Sequence, residues 1–488
     1  MLKREVEKAM KNKSLIKNTV FNVMYTMMNL LFPLVTSMYV SRVLLAEGVG
    51  KVAYAQSVSS YFVTFAALGL PVYGMREIAK ARESEGDTNT LFTELLLLNS
   101  IFTAVSVCGY LLLIKVWSPY FSDTRLFLAT GILVFLNFFN IDWFYKGKEE
   151  YVYIVCRSIV IKVLSIASIF LFVKTKSDYC TYALITSLAT GGNYLFNIWH
   201  VRKSVKLSFT GINLKRHLAP ILILAVSVIL ESVYGKIDTT MLGILSGDTS
   251  TGLYSYAHKT VTLITGACAA ITAVFMPRLS YSYQNNREEF YRIFSLGLRA
   301  ITFITIPAVT GILCLAPQFM QLLYGVEFVP AATTVRILCF IILINCFGDL
   351  ICYQVVVGTG NEKMRIPSAI LGSLVNILLN ALLIPLFAEN GAAIASVLSE
   401  LLVNVFLFFK IRRIVTIPYD FKWMYQALLS SGAMLISIFL VSRIVQVNAL
   451  VCIVSVIVGI FVYLGVNTLM KNDFTEMFIQ KIIHRGRN

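Results

Sequence analysis

Runs of about twenty apolar residues recur along the whole chain, and they limit what it can fold into. A helix of that length crosses the hydrocarbon core of a bilayer. About fourteen such runs can be read, from 18–41 and 50–72 at the start to 423–445 and 449–470 at the end. Of 488 residues, 57% are hydrophobic and 14% charged, more apolar surface than one soluble core hides. The chain reads as an all-α polytopic membrane protein.

The net charge of +16, from 42 basic and 26 acidic residues, would suggest nucleic acid in a soluble chain. Here it follows the positive-inside bias, and no nucleic-acid partner is expected. With the N-terminus inside and the loops alternating, thirty of the 42 basic residues fall inside and eight outside. The basic start (Lys3, Arg4, Lys8, Lys11, Lys13, Lys17) runs straight into the first span, with no cleavable signal apparent. Both termini are therefore expected in the cytoplasm. All loops are short, which leaves no domain for a polymerase, ligase or glycosyltransferase site, so no enzyme is expected. The cysteines form no C-x-x-C pair and the histidines no H-E-x-x-H pattern, so neither disulfides nor a metal are expected.

The chain also repeats itself. Gly50-Lys51-Val52-Ala53-Tyr54-Ala55 aligns with Gly252-Leu253-Tyr254-Ser255-Tyr256-Ala257 at an offset of 202. The same offset carries Asn29 to Glu231, Thr36 to Asp238 and Arg76 to Arg278. Six helices separate the copies, so both start on one side of the membrane, as in a parallel duplication. The expected architecture is two pseudo-symmetric six-helix lobes around a central cavity: 1–210 and 211–415, with helices thirteen and fourteen and a tail in 416–488.

Charged residues inside such spans are costly and usually face a cavity or one another. Glu231 and Asp238 are seven apart on helix seven and share a face, while Lys236 lies about 140° round from Glu231. The first helix carries Asn22, Tyr25, Asn29, Pro33 and Thr36 along one face. These stripes line a cavity or bind helix to helix; the two acids favour the cavity. Lys162 lies about 12 Å in from the cytoplasmic end of helix five, and Arg157 is one turn in, close enough to snorkel. Lys162, Lys236 and Lys259 at different depths suit an anionic, phosphate-bearing substrate. Asn29, Arg42, Arg157, Lys162, Lys236 and Lys259 are the substrate candidates. Glu231, Asp238 and Asp349 are candidates for a coupling proton or sodium ion, and spacing does not choose among them. Asp142 and Glu400 are further acids within spans, Asp142 marking the inner end of helix four.

The residues also carry a resemblance. The segments Ser41-Arg42-Val43-Leu44, Tyr54-Ala55-Gln56, Gly69-Leu70-Pro71, Arg76-Glu77, Trp143-Phe144-Tyr145-Lys146-Gly147 and Asp238-Thr239-Thr240-Met241-Leu242-Gly243 stand in order along the chain. With the helix count, they resemble the polysaccharide-transport family of the MOP exporter superfamily, which includes the Wzx-type flippases. The resemblance implies a MATE-like fold and alternating-access transfer of undecaprenyl-diphosphate-linked oligosaccharide from the cytoplasmic to the outer leaflet. The implied setting is the bacterial cytoplasmic membrane, where capsule, O-antigen or exopolysaccharide is built. The lipid bilayer, a polysaccharide polymerase and chain-length machinery are the implied partners. A lipid II flippase or a cation-coupled drug antiporter of the same superfamily is the alternative.

Overall fold

A computed structural model describes the backbone over residues 2–81, 85–117, 123–202, 204–358, 364–417, 421–445 and 447–476. Side chains are described from Phe32 onward in those stretches, apart from 85–87, 271, 273, 353, 357–358, 365 and 448. The fold is all-α. Among the described residues, nine helices are long and apolar enough to cross a membrane.

The chain divides into two units, Met1–Gly243 and Ile244–Asn488. The first contains α1 (Leu2–Ala67), α2 (Leu70–Lys80), α3 (Glu85–Trp117), α4 (Thr124–Leu136), α5 (Asp142–Gly147), α6 (Tyr151–Phe172), α7 (Tyr179–Val201) and nearly all of α8 (Lys215–Leu245). α1 is two helices joined at Leu45, whose φ of 57° and ψ of −174° are not helical. A β-carbon opposes that conformation, so the break is a strained joint. Gly247, 202 residues on, takes nearly the same angles (φ 88°, ψ −177°) just before α9 (Asp248–Ala273). There glycine meets the same turn without the steric cost.

Two apolar clusters hold the first unit together. In one, Phe92, Trp143, Phe144, Ile78 and Ile221 bring α2, α3, α5 and α8 into contact. In the other, Tyr110, Phe127, Val134 and Ala183 join α3, α4 and α7 to the second helix of α1. The apolar run 126–145 is expected to be one helix, but it stops at Leu136 and restarts at Asp142. The side-chain amide of Asn99 accounts for the interruption, donating to the Asn137 carbonyl at 2.7 Å and the Phe138 carbonyl at 3.4 Å. Carbonyls released from the helix are thereby satisfied inside the protein.

The second unit continues with α10 (Met276–Asn285), α11 (Arg287–Tyr324), α12 (Ala332–Leu338), α13 (Phe340–Gly348), α14 (Val355–Gly358), α15 (Arg365–Ile411), α16 (Phe421–Ile444) and α17 (Asn448–Leu469). A π-helical stretch, Asp349–Gln354, widens the path between α13 and α14. α15 breaks at Ala388 (φ 49°, ψ −127°). Tyr256 packs on Tyr324 and Phe328, and the Tyr254 hydroxyl meets that of Ser396 at 3.0 Å. Leu315, Met434, Ile438, Val451 and Tyr463 clamp α16 and α17 onto α11.

Large apolar side chains stand exposed on both units, including Leu112, Leu171, Ile223, Leu386 and Phe461. In water this would be an aggregation hazard. Against lipid it is the expected outer surface of spanning helices.

Candidate functional site

α8 runs antiparallel along the second helix of α1, and a stripe of small and hydroxyl residues makes the seam. The Thr240 hydroxyl donates to that of Ser57 at 2.9 Å and lies 2.8 Å from the Tyr61 hydroxyl. Thr64 and Ser232 meet at 2.8 Å. Glycines permit the closest approaches: a β-carbon on Gly69 would lie 2.6 Å from the Ile221 carbonyl oxygen, and one on Gly243 would lie 2.3 Å from the Tyr54 ring. Ser232, Lys236 and Thr240 recur every fourth residue, so Lys236 flanks the seam, with its side chain exposed. Glu231 and Asp238 lie about 100–120° round the helix from Ser232, off the stripe. Glu231 is exposed and Asp238 half-buried.

Two other charged groups are buried in the first unit. Arg157 does not snorkel: it is 7% exposed and turned inward from α6. It donates to Asp142 at 3.2 Å and to the side-chain oxygen of Asn197 on α7, and Asn197 donates to Asp142 in turn. Tyr153 stacks beneath the guanidinium, 5.6 Å from ring centroid to carbon. Asp142 is thus a partner of this group, not only a marker of the helix end.

The second group centres on Glu94, which is fully buried in α3. It accepts from Arg216, from His217 Nε2 at 2.8 Å and from the Asn213 amide at 2.6 Å. The Tyr73 hydroxyl of α2 meets His217 Nδ1 at 2.7 Å. Arg216 Nε also meets His217 Nε2 at 3.2 Å, so the ring links Tyr73 to the Glu94–Arg216 pair. The start of α8 is thereby fastened to α2 and α3. Sequence reasoning passed over Glu94; the available signal was an acid inside an apolar run.

The other candidates occupy separate places. Lys162 on α6 is half-buried, 5.2 Å from the centroid of the Phe32 ring. Arg42 is exposed and donates to the Met38 carbonyl one turn back. Asn29 lies in α1, and its side chain is outside the described residues. In the second unit, Lys259 sits 5.5 Å from the centroid of the Tyr256 ring. Asp349 opens the π-helical stretch and accepts from Thr272 at 3.4 Å. Thr272 is thirteen residues beyond Lys259 on α9, about 20 Å along the helix. Lys259 and Asp349 therefore stand at different depths. Among the described residues, no group of three or more His, Cys, Asp or Glu side chains is placed to hold a metal ion.

Outside the spans, Asp123 caps α4 through the Arg125 amide at 2.9 Å. Burial works against its charge, but bonds from Tyr179, Cys180 and backbone amides outweigh it and hold the carboxyl below its usual range. Asp178 is likewise held low, by the amides of Lys174 and Thr175 and by the Thr175 hydroxyl.

The profile of the polysaccharide biosynthesis protein family matches residues 15–283, more than half of the chain. The chain belongs to this family. The MatE profile matches residues 224–382 of this polysaccharide biosynthesis protein. It is 24% identical over 403 residues to the "Putative O-antigen transporter" of Escherichia coli (strain K12), covering 82% of this chain and 97% of that one. Its fold is similar to the inward closed conformation of the lipid II flippase MurJ, with a TM-score of 0.68 and 16% identity over 90% of this chain and 99% of that one. An inward-facing MATE transporter of the MOP superfamily gives 0.62 and 16% over 79% and 94%. The polysaccharide biosynthesis protein is thus a multi-pass membrane transporter of the MOP superfamily.

Proposed function

We propose that this chain is a flippase that moves undecaprenyl-diphosphate-linked oligosaccharide repeat units from the cytoplasmic to the outer leaflet of a bacterial cytoplasmic membrane. What supports this reading is a set of lysines within the apolar spans: Lys162 and Lys236 in the first unit, Lys259 in the second. A diphosphate needs cationic partners along its route, whereas a cationic drug would need acids. The E. coli relative, whose name is that of an O-antigen transporter, supports the same class of cargo.

The likeness to the MurJ fold covers more of the chain than the MATE likeness and favours lipid II as a second cargo. Both cargoes carry sugar on a lipid diphosphate, so the lysines serve either. A drug antiporter has the MatE match in its favour. Glu231, Asp238 and Asp349 remain the candidates for a coupling proton or sodium ion. A polysaccharide polymerase and chain-length machinery are the partners that this reading places downstream.

The reading includes fourteen spans in lobes 1–210 and 211–415, with two further helices in 416–488. Dividing α1 at Leu45 and α15 at Ala388, counting α12 to α14 as one interrupted span and leaving out the short α2, α5 and α10, supports it. The shared backbone break at Leu45 and Gly247 supports the duplication.

The test is deletion of the gene followed by extraction of lipid-linked sugars. Repeat-unit intermediates are expected to build up in the inner leaflet. Growth arrest with lipid II build-up selects the second cargo, and drug sensitivity alone selects the antiporter. Lys162→Ala, Lys236→Ala or Lys259→Ala is expected to lower surface polysaccharide with the protein still in the membrane. Normal export in all three variants would sink the role given to the lysines.

A further inference from the structure

Two helices of the first unit carry exposed residues on opposite faces. On α7, Leu188 and Trp199 are exposed. Thr190 is exposed too, yet it lies about 160–180° round the helix from both. On the second helix of α1, exposed Gln56 stands about 180° from exposed Phe65. One face of each helix is thus apolar and suits lipid. The other is polar at the middle of the span. Gln56 is eleven residues from both Leu45 and Ala67, and Thr190 is eleven residues from each end of α7. That is about 16 Å from either end, a depth at which lipid offers no hydrogen bonds.

The two polar faces join into one strip. Gln56 Nε2 donates to the Thr186 hydroxyl at 3.1 Å. Thr186, Thr190 and Asn193 follow at helical spacing on one face of α7. The Asn193 side-chain oxygen lies 3.5 Å from the Ser158 hydroxyl of α6. Lys162, one turn on from Ser158, stands at the depth of Thr190 and Gln56. The Thr190 hydroxyl donates to the Thr186 carbonyl, which leaves its oxygen as an acceptor. Gln56 Oε1 meets no donor among the described residues. An exposed amide with an unused acceptor at this depth requires water or a polar ligand.

The chemistry of the strip selects among ligands. Amides and hydroxyls both donate and accept, as the hydroxyls of a sugar do. A diphosphate only accepts and is better matched by Lys162. A cationic drug would need an acid, and the strip has none. We propose that Gln56, Thr190 and Asn193 form a surface that reads the sugar hydroxyls of the cargo, with the diphosphate toward Lys162. The proposal rests on the flippase reading and names the part of the cargo that this face contacts, whether a repeat unit or lipid II.

The test uses the full chain in lipid nanodiscs with two probes: the lipid-linked oligosaccharide extracted from the deletion strain, and undecaprenyl diphosphate, which has no sugar. Affinity for each is measured by thermophoresis. The wild type is expected to prefer the sugar-bearing probe by about ten-fold, the worth of one or two net hydrogen bonds. The double variant Gln56→Leu, Thr190→Val is expected to bring that preference close to equality. Thr190→Val alone, which keeps the side-chain shape, is expected to lower it about three-fold and decides the matter if the double variant does not fold. Leu188→Val, on the lipid face, is expected to keep the preference. A full preference in the variants, or none in the wild type, overturns the sugar surface and leaves the flippase reading standing. A deletion strain that accumulates no lipid-linked sugar overturns the flippase reading, and the surface falls with it.

Discussion

Arg157 shows how this protein keeps a charge inside. Asp142 offsets it, Asn197 bridges the two, and Tyr153 covers one face. Removing one member leaves the other charge without compensation. Asp142→Ala is expected to cost about 3 kcal/mol, the lower end for a broken buried pair because Asp142 is partly exposed. Thermal unfolding in detergent measures it. The double variant Asp142→Asn, Arg157→Gln should recover most of that loss. Asp123 answers to pH instead. Its folded pKa lies below the unfolded value of about 3.9. The stability it contributes is therefore present above that value and lost as pH falls through the folded pKa. Asp123→Asn should flatten the fall in melting temperature below about pH 4. A melting temperature measured from pH 7 down to pH 3 shows whether the acid limb changes.

At the scale of elements, the seam between α1 and α8 depends on absent side chains as much as on hydroxyl pairs. Gly69 faces a helix carbonyl, which yields less readily than a side chain. Gly69→Ala should cost about 1–3 kcal/mol through overpacking. Gly235, in the same α8, has nothing within 4 Å of a built β-carbon. Gly235→Ala should therefore be neutral or stabilising by up to about 1 kcal/mol, from helix propensity alone. Denaturation of the two variants side by side tests this; equal losses would refute the seam. The hydroxyl pairs along it are polar contacts that water can replace, unlike the apolar clusters on either side. The elements also show why some boundaries were misread. Hydropathy follows 126–145 as one run, yet Asn99, remote in sequence, competes for the carbonyls of Asn137 and Phe138 and divides it. Arg157 beside Asn197, and Glu94 beside His217, are legible only once α6 meets α7 and α3 meets α8.

For the whole molecule, the charge bias predicts both termini in the cytoplasm, and this prediction can be tested on exposed connections. In a cysteine-free background, Ser177→Cys between α6 and α7 should react with an impermeant thiol reagent from outside. Ser204→Cys, after α7, should react only once the membrane is opened. The reverse pattern would invert the topology. The chain alone determined its membrane class and its many spans, because span length and hydropathy are local and lipid enforces them residue by residue. It also showed the lysines and acids within spans, since each is an exception to its own neighbours. Only the tertiary structure decided which polar groups meet. Glu94 and His217 are 123 residues apart, and Arg157 and Asn197 are 40 apart. Such pairings depend on how helices cross and on which face each presents, and no local pattern encodes that.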